Sequence, residues 1–380
     1  MKFELVKTIR NPKSFAEFRF GPSIALDENL LIVGAPNIGL GSANNESRGM
    51  LLVSKDDGLS FQELDGEADT FPDPNHDKQA RQLGYQVELV NGQIFAQEHL
   101  YRKSGGNPYG FRTRVYAGES LAHVATLPRT QQTQQAHSQN FFPGYRSPKK
   151  IGNFVGLIKY GSMGSKVDIL PTIQDGENYL KSFASLATNP HDFSASESGD
   201  FLSIDEPDGT RVYDITNLEA GVIKLICFFP DPSSNYPAIS NGSILSTSIQ
   251  TGSNQVVLID ARKDSPTCGE ALARLFPAEN FDEFKMRWGD EPVFFGSKLL
   301  FNYRGGKPYN FQHIIVVESD PKDKFFGQEI ARISHSDIPG ASLALGAGSS
   351  SIQFYGGHMY VADNGAFDQE GAIFKFKIST

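Results

Sequence analysis

The chain has 380 residues, 39% hydrophobic and 21% charged, with 37 glycines, 21 prolines and 29 phenylalanines. This balance, with few Ala/Leu/Glu/Lys stretches at helical period, excludes a helical protein and favours many short strands joined by turns. A net charge of -9 excludes the concentrated basic footprint of a nucleic-acid-binding surface, and no apolar run reaches the ~18 residues of a transmembrane helix.

The first ten residues, MKFELVKTIR, alternate Phe3, Leu5, Val6 and Ile9 with charged residues and read as a strand. They lack the apolar core and small-residue cleavage site of a secretory signal, so synthesis in the cytoplasm is expected. From Ile24 the chain reads IALDENLLIVGA, a strand, a tight turn and a second apolar strand. The same hairpin returns from Val87, Phe193, Ala238, Val293 and Ile352, with a weaker copy from Ile151. Seven copies at this spacing mark a repeat protein.

Each hairpin is followed by a third strand and usually a fourth, as in GMLLVSKDDG then SFQEL, or QVVLIDARKD then EALARLF. Four antiparallel strands per unit make a propeller blade, so the expected fold is an all-β, seven-bladed β-propeller spanning 1–380 as a single domain. The last unit supplies only GAIFKFKIST after its hairpin. Residues 2–10 are therefore expected to complete the C-terminal blade and close the ring, since an open ring would leave an unpaired sheet edge.

Phe20-Gly21 followed by Gly34-Ala35-Pro36 resembles the FG-GAP repeat, the blade motif of integrin α-subunit propellers. The literal match covers blade 1, and Leu83-Gly84 keeps part of the pattern in blade 2. The resemblance implies a seven-bladed ring and a calcium loop between the first two strands. That loop is missing, because Asp27, Glu28 and Asn29 in blade 1 and Asn91-Gly92 in blade 2 offer too few oxygens for Ca²⁺. No cofactor or metal is expected.

Turns joining first to second strands are short, whereas the connections after Ala35, from Asp65, from Tyr101 and from Pro128 are long. Propeller topology sends these two sets to opposite faces, predicting one elaborated working face. Two segments assigned to that face resemble each other. One carries Tyr101, Arg102, Gly105, Gly106, Pro108, Tyr109 and Phe111, the other Tyr303, Arg304, Gly305, Gly306, Pro308, Tyr309 and Phe311. Tyr and Arg carry binding energy at interfaces, so Tyr101, Arg102, Tyr109, Tyr303, Arg304 and Tyr309 are the candidate ligand-binding residues. The competing reading is turn chemistry, with the aromatics packing on neighbouring blades.

The eight histidines are spread along the chain without HExxH spacing or a close His-carboxylate cluster, and no GxSxG elbow, P-loop or GxGxxG follows a strand. No catalytic residue is nominated. The two cysteines cannot form a disulfide framework: Cys227 in VIKLICFF reads as a core thiol and Cys268 in SPTCGEA as a turn residue. The glutamine-rich tract from Gln131 to Asn140 reads as a solvated loop.

These features point to a non-catalytic recognition or scaffolding propeller that holds a protein or glycan partner on its loop-rich face. A surface-type module without a secretion signal raises a specific variant, a phage virion appendage or attachment protein. The rival class is a propeller hydrolase or lyase with an acid-base site at the axial channel.

Overall fold

The computed structural model describes residues 1–12, 20–36, 49–65, 80–101, 110–127, 145–161, 164–172, 184–186, 190–241, 243–249, 255–275, 286–305, 311–346 and 350–379. Its strands form seven four-stranded antiparallel sheets in a ring. Blade 1 runs from Ile24–Leu26 to Gln62–Asp65, blade 2 from Ala80–Val90 to His123–Leu127, and blade 3 from Tyr145–Ile151 to Ala184–Leu186. Blade 4 runs from Asp192–Ala195 to Lys224–Phe229, blade 5 from Ser234–Ile239 to Ala271–Leu275, and blade 6 from Met286–Phe295 to Glu329–Ser334. Blade 7 comprises Ile352–Tyr355, His358–Asp363 and Ala372–Ser379, with Lys2–Arg10 as its outermost strand. Six of the seven hairpins read from the sequence are the first two strands of their blades, whereas the weaker copy from Ile151 begins at the last residue of the first strand of blade 3 and spans its second and third strands, Phe154–Gly161 and Gly164–Pro171. Among the described residues helix is confined to short turns such as Ala366–Gln369, and no helix is long and apolar enough to cross a membrane.

The core is not one mass but seven clusters, each between two neighbouring blades. Alternation explains this: on the third strand of blade 1, Leu51 and Val53 face blade 2, while Met50 and Leu52 face blade 7. Strands buried on both faces read as near-continuous apolar runs, as LIVGA and MLLVS do. Each blade is thus held by its neighbours, and stability accrues interface by interface.

The FG and GAP residues of blade 1 serve close backbone packing. Phe20 is fully buried where the chain passes from blade 7 into blade 1, edge-on to Phe61. Gly21 takes a φ of 87° and donates its N–H to the Gly34 carbonyl at 3.1 Å, and Gly34 donates to the Ser23 carbonyl at 2.9 Å. A Cβ on Gly34 would stand 1.9 Å from the Gly84 oxygen of blade 2, so the two backbones meet where no side chain fits.

Ring closure is completed by the turn after the third strand of blade 1. The Asp56 carboxylate accepts the hydroxyls of Ser54 and Ser60 at 2.7 and 2.5 Å and the N–H groups of Leu59 and Ser60. That scaffold holds Asp57 at a φ of 56° and directs it at blade 7, where Lys375 Nζ lies at 2.8 Å, Tyr360 Oη at 3.1 Å and Lys7 Nζ at 3.3 Å. Burial alone would raise the Asp57 pKa, but Lys375, Tyr360 and Lys7 outweigh it and hold the carboxyl below its ordinary value. In the calcium-loop position of blade 1, Asp27 accepts the N–H groups of Asn29 and Leu30 at 2.9 and 3.0 Å, a local turn bond.

Candidate functional site

The first strand of each blade lies innermost, and together the seven bound a cavity of about 470 Å³ on the axis. Its wall is asymmetric. Blades 2 to 4 contribute Glu88, Lys149, Lys150, Asp192 and Glu197, whereas blades 5 to 7 contribute Tyr236, Pro237, Pro292, Val293, Ile352 and Phe354. Lys149 Nζ donates to Asp192 Oδ1 at 2.8 Å and to the Phe193 carbonyl, tying blade 3 to blade 4. Glu88 accepts the Leu89 N–H at 3.1 Å and a backbone hydrogen bond from Lys150. Burial pushes the Glu88 carboxyl up, against the opposing pull of these bonds and of the two lysines. Among the described residues no group of three or more His, Cys, Asp or Glu is placed to hold a metal ion.

A second constellation stands at the end of the ring where the blade-to-blade and second-to-third connections leave. The inner strand of blade 2 bulges between Leu83 and Val87, and the bulge carries Tyr85, 45% exposed, outward. Its ring stacks on His99 at 3.9 Å between centroids, and His99 meets Phe111 edge-on at 5.0 Å. The Arg146 guanidinium, from blade 3, lies 5.7 Å from the centre of the Phe111 ring.

This platform rests on polar joints between two blades. Blade 3 bulges between Arg146 and Lys149, so Ser147 can donate its N–H to Gln97 Oε1 at 2.9 Å, while Gln86 Nε2 donates to the Pro148 carbonyl at 3.1 Å. Beneath it Glu98, fully buried, accepts Arg114 Nη2 at 3.1 Å and Arg112 Nη2 at 2.8 Å. Arg114 is itself fully buried.

Burial, aided by the Arg146 charge, holds His99 down to about 3 from an ordinary 6.5. The unfolded chain therefore binds a proton at His99 that the folded chain refuses, and stability is lost as pH falls from 6.5 towards 3. His99→Phe, which keeps a ring under Tyr85, is expected to flatten the acid limb of stability against pH by about 1.4 kcal/mol per unit. Urea midpoints measured from pH 7 to pH 4 check this; parallel curves for both proteins would refute it.

Of the candidate ligand residues, Arg102, Tyr109 and Tyr309 lie outside the described residues, as do the long connections at 37–48, 66–79 and 128–144. Tyr101 ends the second strand of blade 2. Tyr303 is buried in the cluster between blades 5 and 6, and Arg304 follows it in the same strand. The two similar segments are not structurally equivalent: pairing of the second with the third strand ends in blade 2 at Leu100 with Gly110, leaving Tyr101 paired to Ala80 of the first strand alone, while in blade 6 it continues past Tyr303 to Gly305 with Phe311. Phe111, read only as part of a turn, joins the platform, as do Tyr85, His99 and Arg146. The signal available for Tyr85 was an aromatic residue directly after Gly84, whose φ of 91° marks the bulge.

No protein-family model matches the chain, and no curated protein matches it. Solved structures do. The WD40 domain of Toxoplasma gondii coronin aligns with 100% of this chain and 87% of its own at a TM-score of 0.54 and 9% identity. A structure from a study of two prolyl endopeptidases aligns with 95% of this chain and 47% of its own, at 0.57 and 14%. KlAtg21, solved in complex with the coiled coil of AgAtg16, aligns with 82% of this chain and 83% of its own, at 0.50 and 12%. The likeness is one of fold. These neighbours support the propeller and do not confirm the FG-GAP family, which rests on blade 1 alone.

Proposed function

We propose that the chain acts as a single propeller domain, 1–380, and is a non-catalytic recognition scaffold that docks a protein partner on its loop-rich face. The observation that carries this is the exposed Tyr85 ring stacked on His99, on a platform braced by hydrogen bonds from two blades. A rigid aromatic surface beside an arginine loses little entropy on binding and supplies the residue types that dominate interface energy. Tyr101, Arg102, Tyr109, Arg304 and Tyr309 are kept as proposed ligand contacts, whereas Tyr303, buried between blades, acts through packing. The KlAtg21 structure, which holds a protein coiled coil, lends support by analogy of fold. The FG and GAP residues of blade 1 favour a surface-borne setting, for which a virion attachment protein is the specific form.

The test compares wild type with Tyr85→Ala and Tyr109→Ala variants of unchanged Tm, by crosslinking capture from source extract and on a glycan array. A partner held by wild type and weakened about tenfold or more by Tyr85→Ala is the expected outcome. Equal retention by all three proteins would overturn the assignment, and glycan binding lost in the variants would transfer the site to carbohydrate.

One observation favours a catalytic reading: Glu88, a half-buried carboxyl with a raised pKa, faces the axial cavity close to Lys149 and Lys150. In that reading Glu88 is the general acid of a hydrolase or lyase, and Glu88→Gln abolishes turnover of glycoside or polyuronate substrates while leaving Tm within about 2 °C. Turnover that survives the substitution would exclude this role for Glu88.

A further inference from the structure

The chain has two cysteines, and the fold brings them together. Cys227 lies in the outer strand of blade 4, buried against blade 5, and Cys268 sits half-buried in the turn between the last two strands of blade 5. Cys268 packs against the cluster that holds Cys227, and its Sγ donates to the carbonyl of Ile226, the residue before Cys227, at 3.8 Å.

The turn that presents Cys268 is rigid. The Asp260 carboxylate accepts Arg262 Nε and Nη2 at 2.8 and 2.7 Å, Ser265 Oγ at 2.5 Å and Thr267 Oγ1 at 2.6 Å. The N–H of Cys268 donates to the Ser265 carbonyl at 3.1 Å, and that of Gly269 to the Asp260 carbonyl at 2.8 Å.

The neighbouring interface repeats this geometry without sulfur. In blade 6 the N–H of Gly327 donates to the Glu318 carbonyl at 2.8 Å, as Gly269 does to Asp260, which places Phe326 where Cys268 stands. A Cβ on Gly327 would lie 3.4 Å from the Ala273 Cβ, and one on Gly269 3.8 Å from the Cys227 Cβ. The position that joins an outer strand to the next blade's turn thus carries Ala273 and Phe326 at one interface and two thiols at the other.

We propose that Cys227 and Cys268 are a redox modification site, a reversible inter-blade disulfide closed by exchange with a low-molecular-weight disulfide such as oxidised glutathione. The more exposed Cys268 loses its proton and attacks one glutathione sulfur, forming a mixed disulfide and expelling one glutathione thiolate. Cys227, deprotonated in turn, attacks the Cys268 sulfur and expels the second. The protein gives up two electrons and two protons, and one glutathione disulfide becomes two glutathiones. The cross-link staples blade 4 to blade 5 on the face opposite the Tyr85 platform. Burial pushes the Cys227 thiol up to about 12 and raises Cys268 as well, so exchange is slow and the pair persists as thiols until an oxidising pool is sustained.

The experiment incubates the folded full chain with oxidised glutathione, then reads intact mass, peptide map and thermal midpoint. We expect a mass about 2 Da below the reduced protein, a cross-linked peptide joining Cys227 to Cys268, and a rise in Tm of about 5 °C that dithiothreitol reverses. Cys227→Ser is expected to stop at a glutathione adduct on Cys268, and Cys268→Ser to leave Cys227 unreacted. Should Cys227→Ser fold poorly, Cys268→Ser, at the less buried position, serves as the control. Two free thiols after equilibration, or a wild-type adduct that stays on Cys268, would overturn the site. Cross-linking without a rise in Tm would overturn the stapling role.

Discussion

Deleting residues 1–10 is expected to unfold the ring rather than trim a tail, with Tm lowered by about 10 °C or more, or loss of soluble protein. Lys2–Arg10 supplies the outermost strand of blade 7, paired along its length with Ala372–Ser379. Its loss exposes that strand as an unprotected edge, strips Ile9 from the cluster between blades 7 and 1, and removes Phe3 and Leu5 from the cluster between blades 6 and 7. Lys7 also leaves Asp57, and Gly58, whose backbone abuts the Ile9 side chain, loses its cover. The truncated chain should associate in a concentration-dependent way, and a peptide of residues 1–12 added in trans should restore a single species in size-exclusion chromatography. A truncated protein that melts within about 2 °C of wild type would show that three strands suffice for blade 7.

Glu98→Ala should be the most damaging single substitution described here, costing about 3–5 kcal/mol in urea unfolding. The cost comes less from the lost ion pair than from what remains: Arg114 is fully buried, and its guanidinium would keep its charge in a site shaped for a carboxylate. Arg112→Ala should cost less, because that side chain reaches the boundary of the protein, where water can take over. Combining Glu98→Ala with Arg114→Met should recover part of the loss, since removing both charges ends the desolvation penalty. A loss below about 1 kcal/mol for Glu98→Ala would mean that water reaches the arginine pair.

The blades were legible in the sequence because their determinants are local. Alternating apolar residues, a Gly or Asn turn and a second apolar strand mark each hairpin without reference to the rest of the chain, as at VELVNGQIFAQE and IQFYGGHMYVAD. The need for a closing strand was local too, because the count of strands after the last hairpin falls one short and MKFELVKTIR alternates like a strand. Phe20, Gly21 and Gly34 stood out for the same reason: positive φ and backbone contact demand glycine wherever they occur.

What the sequence left undecided is what the ring alone brings together. Glu88, Lys149 and Asp192 belong to three blades and share one cavity only because their strands line the axis. Glu98 and Arg114 read as ordinary strand charges until strand pairing sets Glu98 opposite Arg112 and diagonal to Arg114 and the fold buries them. The two Tyr-Arg segments look alike as text, yet pairing register puts Tyr303 inside the core and Tyr101 at a strand end. Cys227 and Cys268 read as a core thiol and a turn residue, and only the contact of blade 4 with blade 5 makes them a pair. Local periodicity therefore determined the architecture, whereas tertiary structure decided every functional proximity, because strand pairing and turns are written within one repeat and side-chain encounters are made between repeats.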